Sequence, residues 1–195
     1  VSHLVVASCT GFVAPGIDQI LARRLALPAS TERLLIGFMG CYAAVAELRS
    51  ARHIVRSDPA ARVLVVTVEL STLHLQGDRA VEPLLAMLQF GDGAAAALVS
   101  GTPRGFALGE TFAAALPGSD EMIRWNITDR GFAMHLSGEV PGRIAGALAD
   151  EAIAACRPGD QLAVLAFDES TRPLLGFAES ATLDPSRRKA VAQAL

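Results

Sequence analysis

Apolar positions fall in short bursts along the first hundred residues, and the spacing within successive bursts alternates between strand and helix. The run from His3 to Ser8, rich in β-branched side chains, predicts a strand ending at Cys9. Thr10 to Gly16 carries two glycines and a proline and predicts a turn. Ile17, Ile20, Leu21 and Leu25 then recur at helical spacing, with Asp18 early and Arg23 and Arg24 late, where the helix dipole favours each charge. The pattern repeats. Arg33 to Phe38 reads as a buried strand, Gly40 breaks it, and Tyr42 to Arg56 reads as a helix burying Val45, Leu48 and Val55. Arg62 to Glu69 is the next strand.

Strand and helix alternating at this spacing imply crossover connections and a parallel sheet covered on both faces, so the expected class is α/β. After the turn at Phe90-Gly91-Asp92-Gly93, Ala94 to Ser100 and Gly105 to Thr111 read as consecutive strands, with antiparallel pairing, and Trp125 to Leu136 as a further extended stretch. Pro141 suits the first turn of a helix running to about Ala155. Gln161 to Phe167 reads as a strand, followed by helical segments from about Pro173 and Pro185.

Half of the 195 residues are hydrophobic (51%) and under a fifth are charged (19%), enough for one sizeable core and hardly two independent ones. A formal net charge of -3 with scattered basic residues offers no stripe for phosphates or anionic lipid, so neither nucleic acid nor membrane is an expected partner. A small molecule is. No long uncharged apolar run and no signal-peptide pattern occurs, which leads to an expectation of a cytoplasmic protein. Cys9, Cys41 and Cys156 lack metal-ligand or CxxC spacing and are expected to be thiols. The first residue, Val1, enters a strand almost at once, and a piece of a longer product is expected.

Cys9 is the first candidate for chemistry. At the end of an apolar strand, before a Gly/Pro turn and a helix, a thiol is expected to be exposed, and nearby N–H groups and a helix N-terminus would favour the nucleophilic thiolate. The alternative is a small buried cysteine. Glu69 could orient backbone near Cys9 or be a solvated strand end. Asp92, between two glycines, suits a turn that caps N–H groups, with a phosphate or metal loop as the alternative. Cys41 reads as a small buried residue, and Cys156, before Arg157-Pro158-Gly159, as inert.

Ser8-Cys9-Thr10-Gly11-Phe12 with Ala14-Pro15-Gly16-Ile17-Asp18 resembles the segment read as the nucleophile segment of bacterial type III polyketide synthases, the chalcone- and stilbene-synthase-like branch of the thiolase superfamily. Further matches come in order. They are Gly37-Phe38-Met39-Gly40-Cys41-Tyr42-Ala43-Ala44, Val65-Val66-Thr67-Val68-Glu69-Leu70, Phe90-Gly91-Asp92-Gly93-Ala94-Ala95-Ala96, and Gly131-Phe132-Ala133-Met134-His135-Leu136 with Val140-Pro141-Gly142. The resemblance implies a layered α-β-α-β-α thiolase-like fold, here incomplete. Residues 1–101 would end the first half and carry the cysteine, and 102–195 would form most of the second half without its final strands. It also implies an acyltransferase that condenses a starter acyl-CoA with malonyl-CoA through a Cys9-bound thioester, normally as a homodimer, with CoA thioesters as substrates and no cofactor. Phe90 matches the family's gatekeeper phenylalanine and Met134 a second gatekeeper position. His74, Trp125 and Phe132 fall on cavity-shaping positions, where the bulk of Trp125 would narrow the pocket. Plain core packing is the alternative for each.

The chain also departs from the family's pattern. The family histidine stands in a histidine-proline-glycine-glycine motif, and the matching stretch here is Val164-Leu165-Ala166-Phe167-Asp168-Glu169, without histidine. Its asparagine belongs to a glycine-asparagine-methionine-serine segment that would follow Leu195, and the family's CoA-phosphate-binding residues would precede Val1. His3 is six residues from Cys9 along a strand, about 20 Å away. His53 reads as solvated, and His74 and His135 as packing or lining. A fragment or impaired relative of a polyketide synthase is therefore the leading expectation. A catalytically silent thiolase-fold subunit pairing with an intact synthase is the alternative, and an initiating ketoacyl-carrier-protein synthase is disfavoured by the Ser8-Cys9-Thr10-Gly11-Phe12 wording.

Overall fold

The computed structural model describes residues 1–77, 80–111, 113–155, 161–167 and 171–179. The elements in order are β1 (His3–Ala7), α1 (Ile17–Arg24), β2 (Glu32–Ile36), α2 (Ala43–Ser57), β3 (Arg62–Leu70), α3 (Val81–Gln89), β4 (Asp92–Ser100), β5 (Ile123–Thr128), β6 (Gly131–Leu136), α4 (Val140–Ala155), β7 (Gln161–Phe167) and β8 (Thr171–Glu179). Single 3-10 turns lie at Gly40–Tyr42 and Ser71–His74.

The main sheet has the order β2-β1-β3-β4. β1 runs parallel to β2 and to β3, with His3 opposite Glu32 on one side and Val63 on the other. That interior place explains why β1 is the most uniformly apolar strand: Leu4, Val5, Val6 and Ala7 are all buried. The connections step from β1 to β2 in one direction and from β2 to β3 in the other, and right-handed crossovers then put α1 and α2 on opposite faces.

Val5, Val63 and Val65 meet Ala51 and Ala61 in the core, with Ile36, Leu48, Ile54, Val55 and Val99 packed around them. α2 presents small residues to the sheet, with Ala43, Ala46 and Ala51 buried. Val45, expected in the core, is exposed at 38% because it lies half a turn from the Ala43–Glu47–Ala51 stripe that faces the strands. Within that stripe Glu47 is buried, and its Oε1 accepts the Val66 N–H at 2.7 Å. Burial pushes its carboxyl up to about 6, and the Val66 bond pulls the other way.

Several expectations are corrected. β2 is an edge strand rather than a buried one, and Leu34 and Leu35 are exposed. Antiparallel pairing does occur, but β4 pairs with β3, from Arg62 opposite Ser100 to Leu70 opposite Asp92. That pairing is reached through α3, which the apolar pattern did not single out. Gly105 to Thr111 forms no strand; Gly105 has φ +81, a left-handed conformation that breaks extended backbone. The stretch Trp125 to Leu136 divides into β5 and β6, a two-stranded sheet. The helix expected from Pro173 is instead β8, antiparallel to β7, with Pro173 opposite Leu165 beside an irregular register. An edge strand tolerates a residue that cannot donate to the ladder. The segment from Pro185 lies outside the described residues.

Two compact units result. One comprises Val1–Ala114 and Asn126–Ala133, the other Ala115–Trp125 and Met134–Leu195. In the second, Ser137 N–H donates to the Met122 carbonyl at 2.8 Å and Arg143 Nη2 to the Pro117 carbonyl at 2.6 Å, tying the approach to α4 to the segment before β5. Among the described residues no helix is long and apolar enough to cross a membrane.

Candidate active site

Two strand-to-helix turns of the first unit each carry a cysteine. β1 runs into the first of them, and its backbone donors converge on one carboxylate. Glu69, near the end of the neighbouring β3, accepts the Cys9 N–H on Oε1 at 2.9 Å and the Thr10 N–H on Oε2 at 2.9 Å. Thr10 Oγ1 donates to the same Oε2 at 2.6 Å and accepts the Leu70 N–H at 2.7 Å. His74 Nε2 lies 2.8 Å from the Thr10 carbonyl oxygen, which can only accept, so that nitrogen carries the proton. Of the two readings of Glu69, orientation of backbone near Cys9 is the one observed.

Clamped in this way, Cys9 is buried, with 7% of its surface exposed. Its Sγ accepts the Gly40 N–H at 3.3 Å. Burial pushes the thiol above its ordinary value, and the Glu69 charge adds to that; the N–H groups of Gly40, Phe38 and Met39 pull back without cancelling it. The expected exposed thiol and favoured thiolate are therefore corrected. The strand end tucks the sulfur beneath the neighbouring turn, and the carboxylate that fixes the backbone also opposes a second negative charge.

The neighbouring turn is the one that follows β2. Phe38 adopts φ +57 and Gly40 φ +60, and a bulky residue in that region is strained unless its surroundings hold it. The Phe38 ring meets Phe12 edge-on at 5.9 Å between centroids and Phe132 at 6.4 Å, while Phe12 and Phe132 stand 6.0 Å apart. Phe132 is buried and stacks on His74 at 4.6 Å. Beyond Gly40 the chain makes one 3-10 turn and enters the 15-residue α2. Cys41 stands in that turn and is exposed, which corrects the reading of it as a small buried residue. A sharp turn lifts the side chain away from both the sheet and the helix face that packs on it.

The structure thus brings Cys9, His74 and Phe132 of the expected set into one cluster. Phe90 is half-buried at the C-terminal end of α3. Trp125 on β5 and Met134 on β6 are half-buried members of the second unit. Asp92 serves the turn: it accepts the Thr72 N–H at 2.8 Å and the Thr72 hydroxyl at 2.7 Å, and both bonds hold its carboxyl below the ordinary range. His53 is exposed on α2, and His3 Nε2 lies 3.6 Å from Glu32 Oε2. Cys156, Asp168 and Glu169 lie outside the described residues. Among the described residues no cluster of three or more His, Cys, Asp or Glu could hold a metal ion. The residues that sequence reasoning passed over are Cys41, Phe12 and Phe38. The available signal was a Gly-Cys pair between an apolar strand and a long helix.

The profile of chalcone and stilbene synthases, N-terminal domain, matches residues 1–103. The chain is 31% identical over 153 residues to the alpha-pyrone synthesis polyketide synthase-like Pks18 of Mycobacterium tuberculosis, an alignment covering 75% of this chain and 39% of that protein. Its fold is similar to 1,3,6,8-tetrahydroxynaphthalene synthase of Streptomyces coelicolor A3(2), a bacterial type III polyketide synthase, with TM-score 0.72, 28% identity, and 79% of this chain and 44% of that one covered. PKS-I of the brown alga Ectocarpus siliculosus gives TM-score 0.70 and 35% identity over 76% of this chain and 41% of that one. The chain spans about two-fifths of the length of these relatives. The architecture is a thiolase-like α/β fold, and the chain belongs to the chalcone and stilbene synthase family of type III polyketide synthases.

Proposed function

We propose that this chain takes part in thioester-based acyl transfer of the polyketide-synthase kind, and that the acyl-accepting sulfur is Cys41, with Cys9 as the supporting neighbour. The observation that carries this is the contrast between an exposed thiol at Cys41 and a buried thiol at Cys9 that resists ionisation. Only the thiolate is nucleophilic, and it must meet its donor. Negative charge at Cys41 would stand at the positive end of α2, whereas at Cys9 it would face Glu69. In the proposed step the Cys41 sulfur attacks the carbonyl carbon of an acyl-CoA, a new carbon–sulfur bond forms, and the bond to CoA breaks. CoA leaves as its thiol, taking up the proton that Cys41 gave to solvent. The proposed donors are a starter acyl-CoA and malonyl-CoA, with no bound cofactor, and the proposed partner is a second copy of the chain.

The test is incubation of the chain with hexanoyl-CoA, followed by peptide mapping by mass spectrometry. A hexanoyl adduct on Cys41, lost in Cys41→Ala and kept in Cys9→Ala, is expected. An adduct on Cys9 alone would return the nucleophile to the first turn, and none on either cysteine would refute acyl transfer by this chain.

A second reading rests on the absence of histidine from Val164 to Glu169: a thiolase-fold subunit that does no condensation and pairs with an intact synthase. Purification of the natural protein decides between them. A stable heterodimer supports the silent subunit, and a homodimer turning over malonyl-CoA excludes it.

A further inference from the structure

Cys41 stands in the 3-10 turn that opens into α2, and the helix meets the sheet through small residues: Ala43, Ala46 and Ala51 are buried. Methyl groups allow close approach, but their contacts are weak and non-directional, so they do little to fix how far a helix has slid along the strands beneath it. Of the longer side chains that α2 packs around the core, Leu48, Ile54 and Val55, two lie in its last turn. Toward Cys41 the helix face offers one fully buried long side chain, Glu47, which is 1% exposed. An apolar residue would fill that place at less cost in desolvation.

What the carboxyl adds is a directional contact. Its Oε1 accepts the Val66 N–H of β3 at 2.7 Å, a bond that either ionisation state of the group can accept. Glu47 is six residues on from Cys41, about 9 Å along the helix axis. Val66 is three residues before Glu69, the carboxylate that holds the Cys9 and Thr10 N–H groups. β3 is therefore the common reference for both cysteine turns. The first turn is tied to its end through Glu69, and the helix that the second turn opens is tied three residues earlier through Glu47. Between the turns runs the bond from the Gly40 N–H to Cys9 Sγ, at 3.3 Å, and its length depends on where along β3 the helix is stopped.

We propose that Glu47 is a positioning residue, which sets the register of α2 on β3 and with it the place of Cys41 relative to the covered sulfur of Cys9. Its value to acyl transfer rests on the reading of Cys41 as acyl acceptor, and the test keeps the two separate. The unaltered chain, Glu47→Gln and Glu47→Leu are compared for alkylation of native Cys9 by iodoacetamide, hexanoyl transfer from hexanoyl-CoA to Cys41, and the urea midpoint of unfolding. Glutamine keeps one acceptor oxygen for the Val66 N–H, and leucine fills the space without one. Glu47→Leu is expected to unfold near the urea midpoint of the unaltered chain, because apolar burial offsets the lost bond. With the Gly40 cover loosened, its Cys9 is expected to react severalfold faster, and transfer to Cys41 to be about tenfold slower. Glu47→Gln is expected to restore both rates. Should Glu47→Leu fail to fold, Glu47→Ala, which extends the alanine face, carries the same expectation. Where the unaltered chain is acylated, an unchanged rate at either cysteine in the folded apolar variant overturns the inference. So do changes no larger than a lowered urea midpoint accounts for, and a Glu47→Gln chain as impaired as Glu47→Leu. Where the unaltered chain takes up no hexanoyl group at Cys41, the assignment of the nucleophile falls, and the Cys9 rate alone decides the register.

Discussion

The two cysteine turns of the first unit start from the same local recipe, an apolar strand, a cysteine and a glycine-containing turn before a helix, and they end in opposite environments. β1 lies between two parallel neighbours, and the chain leaving it is captured by the carboxylate of Glu69 on the adjacent strand. β2 lies at the sheet edge, and the chain leaving it arches through two left-handed residues, covers Cys9 with the Gly40 N–H, and sets Cys41 in solvent. Strand position within the sheet, more than the residues of either turn, determines which sulfur faces solvent.

The largest expected effect comes from breaking the clamp on the first turn. Glu69→Ala would leave the Cys9 N–H, the Thr10 N–H and the Thr10 hydroxyl without their shared acceptor in a part-buried place. A loss of about 2–4 kcal/mol in unfolding free energy is expected. Glu69→Gln, which keeps one acceptor oxygen, should lose less. Urea titration of both variants checks this, and equal stability of Glu69→Ala and the unaltered chain would remove the clamp from the account.

A smaller effect concerns the helix that follows the second turn. Glu47 ionises near 6 in the folded chain, against an ordinary 4.5. A raised folded value means that the folded state holds the proton more tightly. The stability it contributes is therefore fully present below about 4.5 and is lost as pH rises through 6, a difference of about 2 kcal/mol. Glu47→Gln should retain an acceptor for the Val66 N–H and show less loss of stability between pH 4.5 and 8 than the unaltered chain. Identical pH profiles of unfolding free energy would contradict the assigned origin of the shift.

The smallest effect is at the mouth of β4. Thr72→Val removes the hydroxyl bond to Asp92 and leaves the backbone bond, both at exposed residues. No resolvable loss of unfolding free energy is expected, because both groups can turn to water. A clear drop in the urea midpoint would mean that this tie carries the β3–β4 connection.

Much of the fold was legible in the residues. The bursts at His3–Ala7 and Arg62–Leu70 have the composition of interior parallel strands, and Pro141 marks the start of α4. What failed depends on neighbours outside the local pattern. Leu34 and Leu35 look like core residues, but an edge place leaves them open. Thr171 to Glu179 carries a proline that suggested a helix start, yet β7 offers it a partner strand. The site was legible as a neighbourhood: Cys9, Glu69, His74 and Phe132 do converge. Which of two cysteines faces solvent was not, because no periodicity records the side on which a turn of three or four residues leaves its side chain.

The most direct test is the alkylation rate of each cysteine in the native chain, followed by peptide mass spectrometry with limiting iodoacetamide near neutral pH. Cys41 is expected to react at least about tenfold faster than Cys9, with Cys9 catching up only on unfolding. Equal rates in the native chain, or faster modification of Cys9, would contradict the division of roles between the two turns.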